Sequence, residues 1–81
     1  MNKYLVYMPG ESVRVERSFP NTKFRISEDL WAIGTDLPTP GAVCEKLGIH
    51  ENINMVVIAI TTYYGRYDMN LWQTLEAWDK T

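Results

Sequence analysis

The first half of the chain carries short hydrophobic segments with the period of two that is typical of β-strands. Residues 3–8, KYLVYM, end at a Pro-Gly pair, which predicts a buried strand followed by a turn. Residues 12–19, SVRVERSF, alternate between apolar and polar side chains, so we expect a half-buried strand, hairpinned to the first. Residues 22–26 alternate again after the turn signal Pro20-Asn21 and predict a further strand.

The middle of the chain predicts a strand and then a helix with clear end signals. Residues 30–35, LWAIGT, form a compact apolar segment that predicts a strand. Thr39 is a suitable N-cap and Pro40 a suitable first residue for a helix over residues 40–47. Gly48 is the residue type that most often ends a helix in a left-handed conformation.

The last third combines the most apolar segment of the chain with an amphipathic one. Residues 53–61, INMVVIAIT, are continuously apolar at their centre, which predicts the central strand of the sheet. Asp68 is a suitable N-cap, and four apolar residues follow it at helical spacing: Leu71, Trp72, Leu75 and Trp78. We therefore expect a C-terminal helix that packs on the core.

These elements predict a single α+β domain over residues 1–81. The predicted order is β, β, β, β, α, β, α, and the loose segregation of strands and helices favours a mostly antiparallel sheet of four to five strands with two helices on one face. A chain of this length buries a thin core, and its three Trp, five Tyr and two Phe residues supply much of the buried area. Residues 9–27 leave a hairpin and an irregular segment as alternatives.

Two segments of the chain resemble the small ferredoxin-like family of CRISPR-adaptation endonucleases and their SinR-like relatives. They are LWAIGTDLPTPGAVCEKLGI and NMVVIAITTYYGRYDMNLWQTLEAW. The shared features are a Trp-bearing strand (Trp31), a Thr-led helix (Thr39), an apolar strand (55–60), an aromatic-Gly loop (63–67) and a helix carrying Trp78. The resemblance, mainly over residues 30–78, implies a ferredoxin-like fold or a reduced variant, and a homodimer.

The first part of the chain departs from that family pattern in two ways. The family has a full helix after strand one, whereas this chain has Pro-Gly and a strand-like segment. Nuclease members carry a metal-binding Asp at the end of strand one, where this chain has YMPG without a carboxylate. The resemblance therefore extends to the fold and not to a metal-dependent nuclease site.

The net charge of −2 is unevenly distributed along the chain. Residues 1–27 hold five basic and two acidic side chains, giving +3, and residues 28–81 hold three basic and eight acidic side chains, giving −5. This distribution predicts a basic and an acidic face. It argues against a protein built mainly to neutralise phosphates, which usually carries a clear positive excess.

Candidate catalytic residues are few, and the sequence favours a non-enzymatic protein without cofactor or metal. His50 lacks a partner that general-base chemistry would need, and Cys44, the single cysteine, fits a small buried hydrophobe. Glu28-Asp29 and Asp36 lack the spacing of a calcium loop. The absence of any apolar run of about 20 residues, and of a signal-peptide pattern, predicts a cytoplasmic protein with no membrane contact.

The loop before the last predicted helix is the strongest candidate for recognition. It gathers four residues of the types enriched in protein–protein hot spots: Tyr63, Tyr64, Arg66 and Tyr67. Loops tend to lie on the surface, so we expect some of these side chains to contact a partner.

Two hypotheses follow. In the first, the chain is a small acidic protein-binding module, such as a phage or mobile-element accessory factor that inhibits or regulates a nucleic-acid-handling protein. Its acidic side chains would then mimic a phosphate backbone toward a basic partner: Glu45, Glu51, Glu76 and Asp79. In the alternative, it is a nucleic-acid-binding protein or residual nuclease that uses its basic N-terminal strands: Arg14, Arg17, Lys23 and Arg25.

Overall fold

A computed structural model describes residues 1–80 of the chain. Within them the chain forms four strands, three α-helices and a single 3-10 turn at Ile49–Glu51. The strands are β1 (Asn2–Tyr7), β2 (Lys23–Arg25), β3 (Leu30–Thr35) and β4 (Val56–Ala59). The helices are α1 (Ser12–Ser18), α2 (Pro40–Leu47) and α3 (Met69–Asp79). The order is thus βαββαβ followed by a C-terminal helix.

The four strands form one open sheet in the order β2-β3-β1-β4, and every neighbouring pair is antiparallel. This confirms the predicted α+β class with a mostly antiparallel sheet, and the order is compatible with a ferredoxin-like fold. Sequence-distant strands meet at its centre, since β1 pairs with both β3 and β4.

Helices cover both faces of the sheet, and each face has its own hydrophobic core. We call the face that packs on α1 and α2 the inner face; its buried core comprises Tyr4, Val6, Met8, Val15, Phe19, Trp31, Ile33, Val43 and Leu47. On the opposite, outer face Ala32 packs with three residues of α3, Leu71, Leu75 and Trp78. Two helices do share one face, but the two that the sequence predicted, α2 and α3, lie on opposite faces.

The predicted strand at residues 12–19 is wrong, because this segment forms α1. Val15 and Phe19 are buried against the inner face, whereas Val13 is 61 % exposed. Residues four apart lie on the same side of either a strand or a helix, so these two buried residues fit both periods.

The predicted central strand at residues 53–61 is also wrong in position, because β4 is short and lies at the edge of the sheet. Val57 packs against the inner core, but Val56 and Ile58 are 52 % and 54 % exposed. The continuous apolar run therefore does indicate a strand, but only one side of this strand is buried.

The predicted helix ends are confirmed by their backbone and hydrogen-bond geometry. The Thr39 side chain accepts a hydrogen bond from the Ala42 amide, with 3.1 Å between oxygen and nitrogen. Gly48 ends α2 in a left-handed conformation, with φ +95°. Asp68 begins α3 and accepts from the Asn70 amide at 2.8 Å. Caps of this type satisfy backbone donors that have no partner within the helix.

Candidate protein-interaction surface

Helix α3 covers one end of the outer face and leaves the other end open. Side chains on that face follow from the register: Leu5 lies opposite Ala32 on one side and Ile58 on the other, and Tyr7 lies between Leu30 and Val56. At the covered end, Trp78 rests directly on Gly34. The open end carries the row of Leu30, Tyr7 and Val56, with Ile58 beside it.

Exposed apolar side chains are concentrated on this side of the molecule. Of the eight large hydrophobic residues that are exposed within residues 1–80, all but Val13 and Ile49 lie on the outer face, in the loop before α3 or at its first turn. They are Tyr7, Val56, Ile58, Tyr64, Tyr67 and Met69. We call these six residues the outer patch. Apolar residues grouped in this way mark an interaction site more reliably than isolated ones.

A groove runs along the outer face beside α3. Its volume is about 300 Å³, and its walls come from the sheet, the chain after β4 and α3. Leu5 and Ile58 form part of its floor, and Trp72 and Leu75 part of its helical wall. Because its lining is almost wholly aliphatic and aromatic, the groove suits apolar side chains and offers little to orient a polar substrate.

The structure separates the four predicted loop residues into two kinds. Tyr63 packs inward: its ring stacks on that of Trp72 at a centroid distance of 5.9 Å. The Tyr67 hydroxyl donates to the Ile26 carbonyl, which fixes the loop against the end of β2. Tyr64 and Arg66 are exposed, and Tyr64 is fully so. The loop thus has structural anchors at Tyr63 and Tyr67, and presents Tyr64 and Arg66 to solvent.

Asp79 and Tyr63 belong to a polar cluster that fastens the end of α3 to β1. Lys3, whose side chain is only 9 % exposed, forms an ion pair with Asp79, and its ammonium lies 5.0 Å from the centre of the Tyr63 ring. The Tyr63 hydroxyl donates to the other Asp79 oxygen at 3.1 Å. The hydrogen bond from Lys3 lowers the pKa of the Asp79 carboxyl, and burial followed by the Asp79 contact raises the pKa of the Tyr63 hydroxyl.

The four acidic residues predicted to form one face are divided between the two sides of the sheet. Glu45 lies on α2 and Glu51 on the following 3-10 turn, whereas Glu76 and Asp79 lie on α3. Two of them are also neutralised locally, because Glu51 accepts from Arg14 at 2.8 Å and Asp79 pairs with Lys3. The structure does not bring these carboxylates together into a single negative surface.

The four basic residues lie on α1 and on strand β2, and three of them have partners within the fold. Arg14 pairs with Glu51, whose hydrogen bond raises the pKa of the guanidinium. Arg25 lies 5.4 Å from the centre of the Trp31 ring and donates to the Glu28 carbonyl. The Lys23 ammonium donates to the Pro20 carbonyl at 2.8 Å, and Arg17 is exposed. Most of these cations are therefore engaged in contacts within the fold.

The other candidate chemical residues have ordinary surroundings. His50 is exposed on the 3-10 turn, and burial raises the pKa of the Cys44 thiol, which makes it less reactive. Asp29 accepts from the Gly10 amide at 3.0 Å and holds the turn after β1. Within residues 1–80, no group of three or more His, Cys, Asp or Glu side chains is placed to hold a metal ion.

Sequence reasoning missed the sheet part of the outer patch. Tyr7, Val56 and Ile58 were expected to be core residues of buried strands, and the residue types alone do not distinguish them from such residues. The signal was the length of the apolar run at residues 53–61, which exceeds what the four-residue strand β4 can bury. This excess leaves the side chains of Val56 and Ile58 exposed on the outer face.

No protein-family model, curated protein or solved structure matches this chain. The resemblance to CRISPR-adaptation endonucleases therefore stays a prediction. In the part of the chain that is described, none of the helices combines the length and apolar character needed to cross a membrane.

Proposed function

We propose that the chain is a non-enzymatic protein-binding module whose recognition surface is the outer patch with its groove. The observation that carries this proposal is the concentration of exposed apolar side chains on one side of a small domain. Exposed apolar side chains that are grouped in this way are typical of protein–protein interaction sites.

The occupant that suits this surface is an amphipathic segment of a second protein. The groove accepts apolar side chains, and the exposed Tyr64 and Arg66 beside it are residue types that combine contact area with a polar group. Lys3 together with residues 66–80 carries a net charge of zero. Three cations, Lys3, Arg66 and Lys80, are balanced by three anions, Asp68, Glu76 and Asp79. Apolar contact rather than charge would therefore supply most of the affinity, in place of the phosphate mimicry that the sequence indicates.

The test places a photo-crosslinking amino acid at Tyr64 and, as a matched control, at Val13, which is exposed on the opposite side. Expected is an adduct with one protein from position 64 and not from position 13. The identified protein is then purified, and its affinity is measured against the Y64A and V13A variants. We expect Y64A to weaken binding more than about tenfold, as hot-spot tyrosines do, and V13A to leave it unchanged.

Equal crosslinking from both positions, or equal affinity of both variants, would contradict the proposal. A titration with labelled RNA and DNA at low salt tests the alternative function. Binding that falls steeply with salt and is lost in an R17A/K23A variant would favour nucleic-acid recognition by the α1–β2 side.

A further inference from the structure

The two edges of the sheet differ in a way that goes beyond the proposed function. The β2 edge has only three residues, two of which are the charged Lys23 and Arg25, and Pro20 precedes it. Short length, cationic side chains and proline are the devices by which proteins prevent edge strands from pairing with other chains. The β2 edge is therefore protected.

The β4 edge is also short, with four residues, but it lacks the other two devices. From Asn52 to Gly65 the chain contains no charged residue and no proline, and among the described elements β4 pairs with β1 alone. An exposed, uncharged and apolar edge strand is a template for pairing with another strand. The contrast between the two edges indicates that β4 is left open for a partner strand.

Hydrogen bonding within the sheet shows which peptide groups face this open edge. The Ile60 amide donates to the Lys3 carbonyl at 2.9 Å. Backbone groups alternate in direction along a strand, so Ile58 and Val56 also bond toward β1. Val57 and Ala59 therefore direct their N–H and C=O groups away from the sheet, as does Met55 if the extended chain is continued backward.

We propose that two copies of this chain pair through β4 in antiparallel fashion, about a two-fold axis at Val57. In this register Val57 exchanges two hydrogen bonds with its own copy, and Ala59 pairs with Met55 of the second copy. A two-fold axis perpendicular to a sheet keeps each face on the same side. Val56 then lies opposite Ile58 of the second copy on the outer face, where both are exposed.

The second copy is favoured over a foreign strand because the edge is self-complementary. Val57 and Ala59 face outward in β4, and the proposed pairing extends the strand by one residue to Met55, which gives three outward-facing residues with symmetric spacing. No like charges oppose one another across the axis. The result is a continuous sheet of eight strands. It also joins the open ends of two outer faces into one apolar surface, and brings two outer patches together on the same side of the dimer. An interface of edge hydrogen bonds and flanking apolar side chains fits the isologous contact of a C2 dimer.

The first test measures the molar mass of the purified chain by sedimentation velocity over a concentration series. We expect a monomer–dimer equilibrium. The variant Ala59→Pro removes one outward N–H donor per copy, and proline is tolerated at an edge where the N–H faces away from the sheet. Its dimer dissociation constant should rise at least about tenfold, while its circular dichroism stays that of the folded monomer. Val13→Ala is the control that should leave the equilibrium unchanged.

The register is tested with two double variants that replace the same exposed pair. In V56E/I58K, the glutamate introduced in each copy faces the lysine introduced in the other, and dimers should be retained. In V56E/I58E, two pairs of like charges face each other, and dimers should be lost. A chain that is monomeric at every concentration, or dimers that resist both A59P and V56E/I58E, would overturn the proposal. Dimers lost in Y64A but retained in A59P would assign the contact to the outer patch instead.

Failure of this proposal is separable from failure of the proposed function. The variant A59P should weaken pairing at least about tenfold and still crosslink to its partner through position 64, whereas Y64A should weaken partner binding and still dimerise. A wild-type monomer that crosslinks specifically would leave the protein-binding function in place and remove only the β4 contact.

Discussion

Gly34 is a residue whose small size is required by its neighbour. A Cβ atom at this position would lie 2.8 Å from the Trp78 ring, which is closer than real contacts permit. The ring is held between α3 and the sheet and cannot move away without disturbing the outer core. We expect G34A to lower the free energy of unfolding by roughly 1–3 kcal/mol through overpacking.

Urea denaturation measures this loss, and Gly41 supplies the control. A Cβ at Gly41 would meet only the Thr39 hydroxyl at 3.8 Å, and alanine favours a helix. The expected effect of G41A is neutral or slightly stabilising. If G34A proved as stable as G41A, Trp78 would have to be loosely packed.

The Lys3–Asp79 pair predicts a pH dependence whose sign follows from the lowered pKa of Asp79. A carboxyl with a lowered pKa in the folded state adds stability above its unfolded pKa of about 3.9. This contribution is lost as the pH falls through the folded value. We therefore expect D79N to be less stable than wild type at neutral pH, because Lys3 then stays buried without its counterion.

The measurement is the free energy of unfolding of both proteins from neutral to acid pH. The difference between them should be constant near neutrality and should shrink below about pH 4. A difference that does not change with pH would mean that Asp79 acts through packing and not through its charge.

Local sequence could predict the identity of recognition-type residues but not their partners. Tyr63 and Tyr67 have similar local sequence contexts in the loop. Only the fold shows that Tyr63 packs against Trp72. Lys3 and Asp79 lie 76 positions apart, so no short-range pattern could join them. Such contacts arise from the topology of the sheet, which places the start of β1 beside the end of α3.

At the scale of elements, helix ends were the most predictable features because a cap is a local interaction. Thr39 satisfies the Ala42 amide within three residues of itself. We expect T39A to lower stability by about 1 kcal/mol, since an amide at the start of α2 loses its acceptor. Thermal or urea unfolding checks this value, and T39S, which keeps the hydroxyl, should recover most of it. Equal losses for both variants would assign the effect to the Thr methyl group.

Short helices and edge strands were less predictable, for different reasons. In the α1 segment the buried residues Val15 and Phe19, the residue that follows the helix, are compatible with either period. Only the exposure of Val13 distinguishes a helix from a strand there. In β4 the apolar pattern correctly indicated a strand, but burial was assumed where the outer face is open. A hydrophobic pattern records which side chains avoid water, and it does not record whether the chain or a partner covers them.

At the scale of the whole molecule, α3 is the one helix that covers the outer face within residues 1–80. It buries Leu71, Leu75 and Trp78 there, and at about 1.5–3 kcal/mol for each side chain this contributes roughly 5–9 kcal/mol. Small domains have total stabilities of about 5–15 kcal/mol. We expect a chain ending at Asp68 to lose cooperative folding.

Circular dichroism during thermal unfolding is the measurement, and a chain ending at Asp79 is the control, because it keeps all three buried residues. Cooperative unfolding of the chain ending at Asp68 would show that the inner core alone supports the sheet. That outcome would also make α3 an accessory element whose main contribution is to the groove.

The placement of charged residues on the surface is set by the whole fold and differs from what the sequence predicted. The acidic balance of residues 28–81 suggested one negative face, but the sheet separates the carboxylates of α2 from those of α3. Counting charges along the sequence does not show which face of the sheet each charge lies on, because this chain places helices on both faces.

The central position of β1 has a consequence for the rate of folding. Its two neighbours, β3 and β4, begin 28 and 54 residues after it, so both pairings of the central strand join distant parts of the chain. Val6 and Tyr4, which are covered in the finished fold, gain their neighbours in the sheet only when these long loops close. Closing a loop costs entropy before the distant contacts form, and this slows folding relative to a helical protein of the same length.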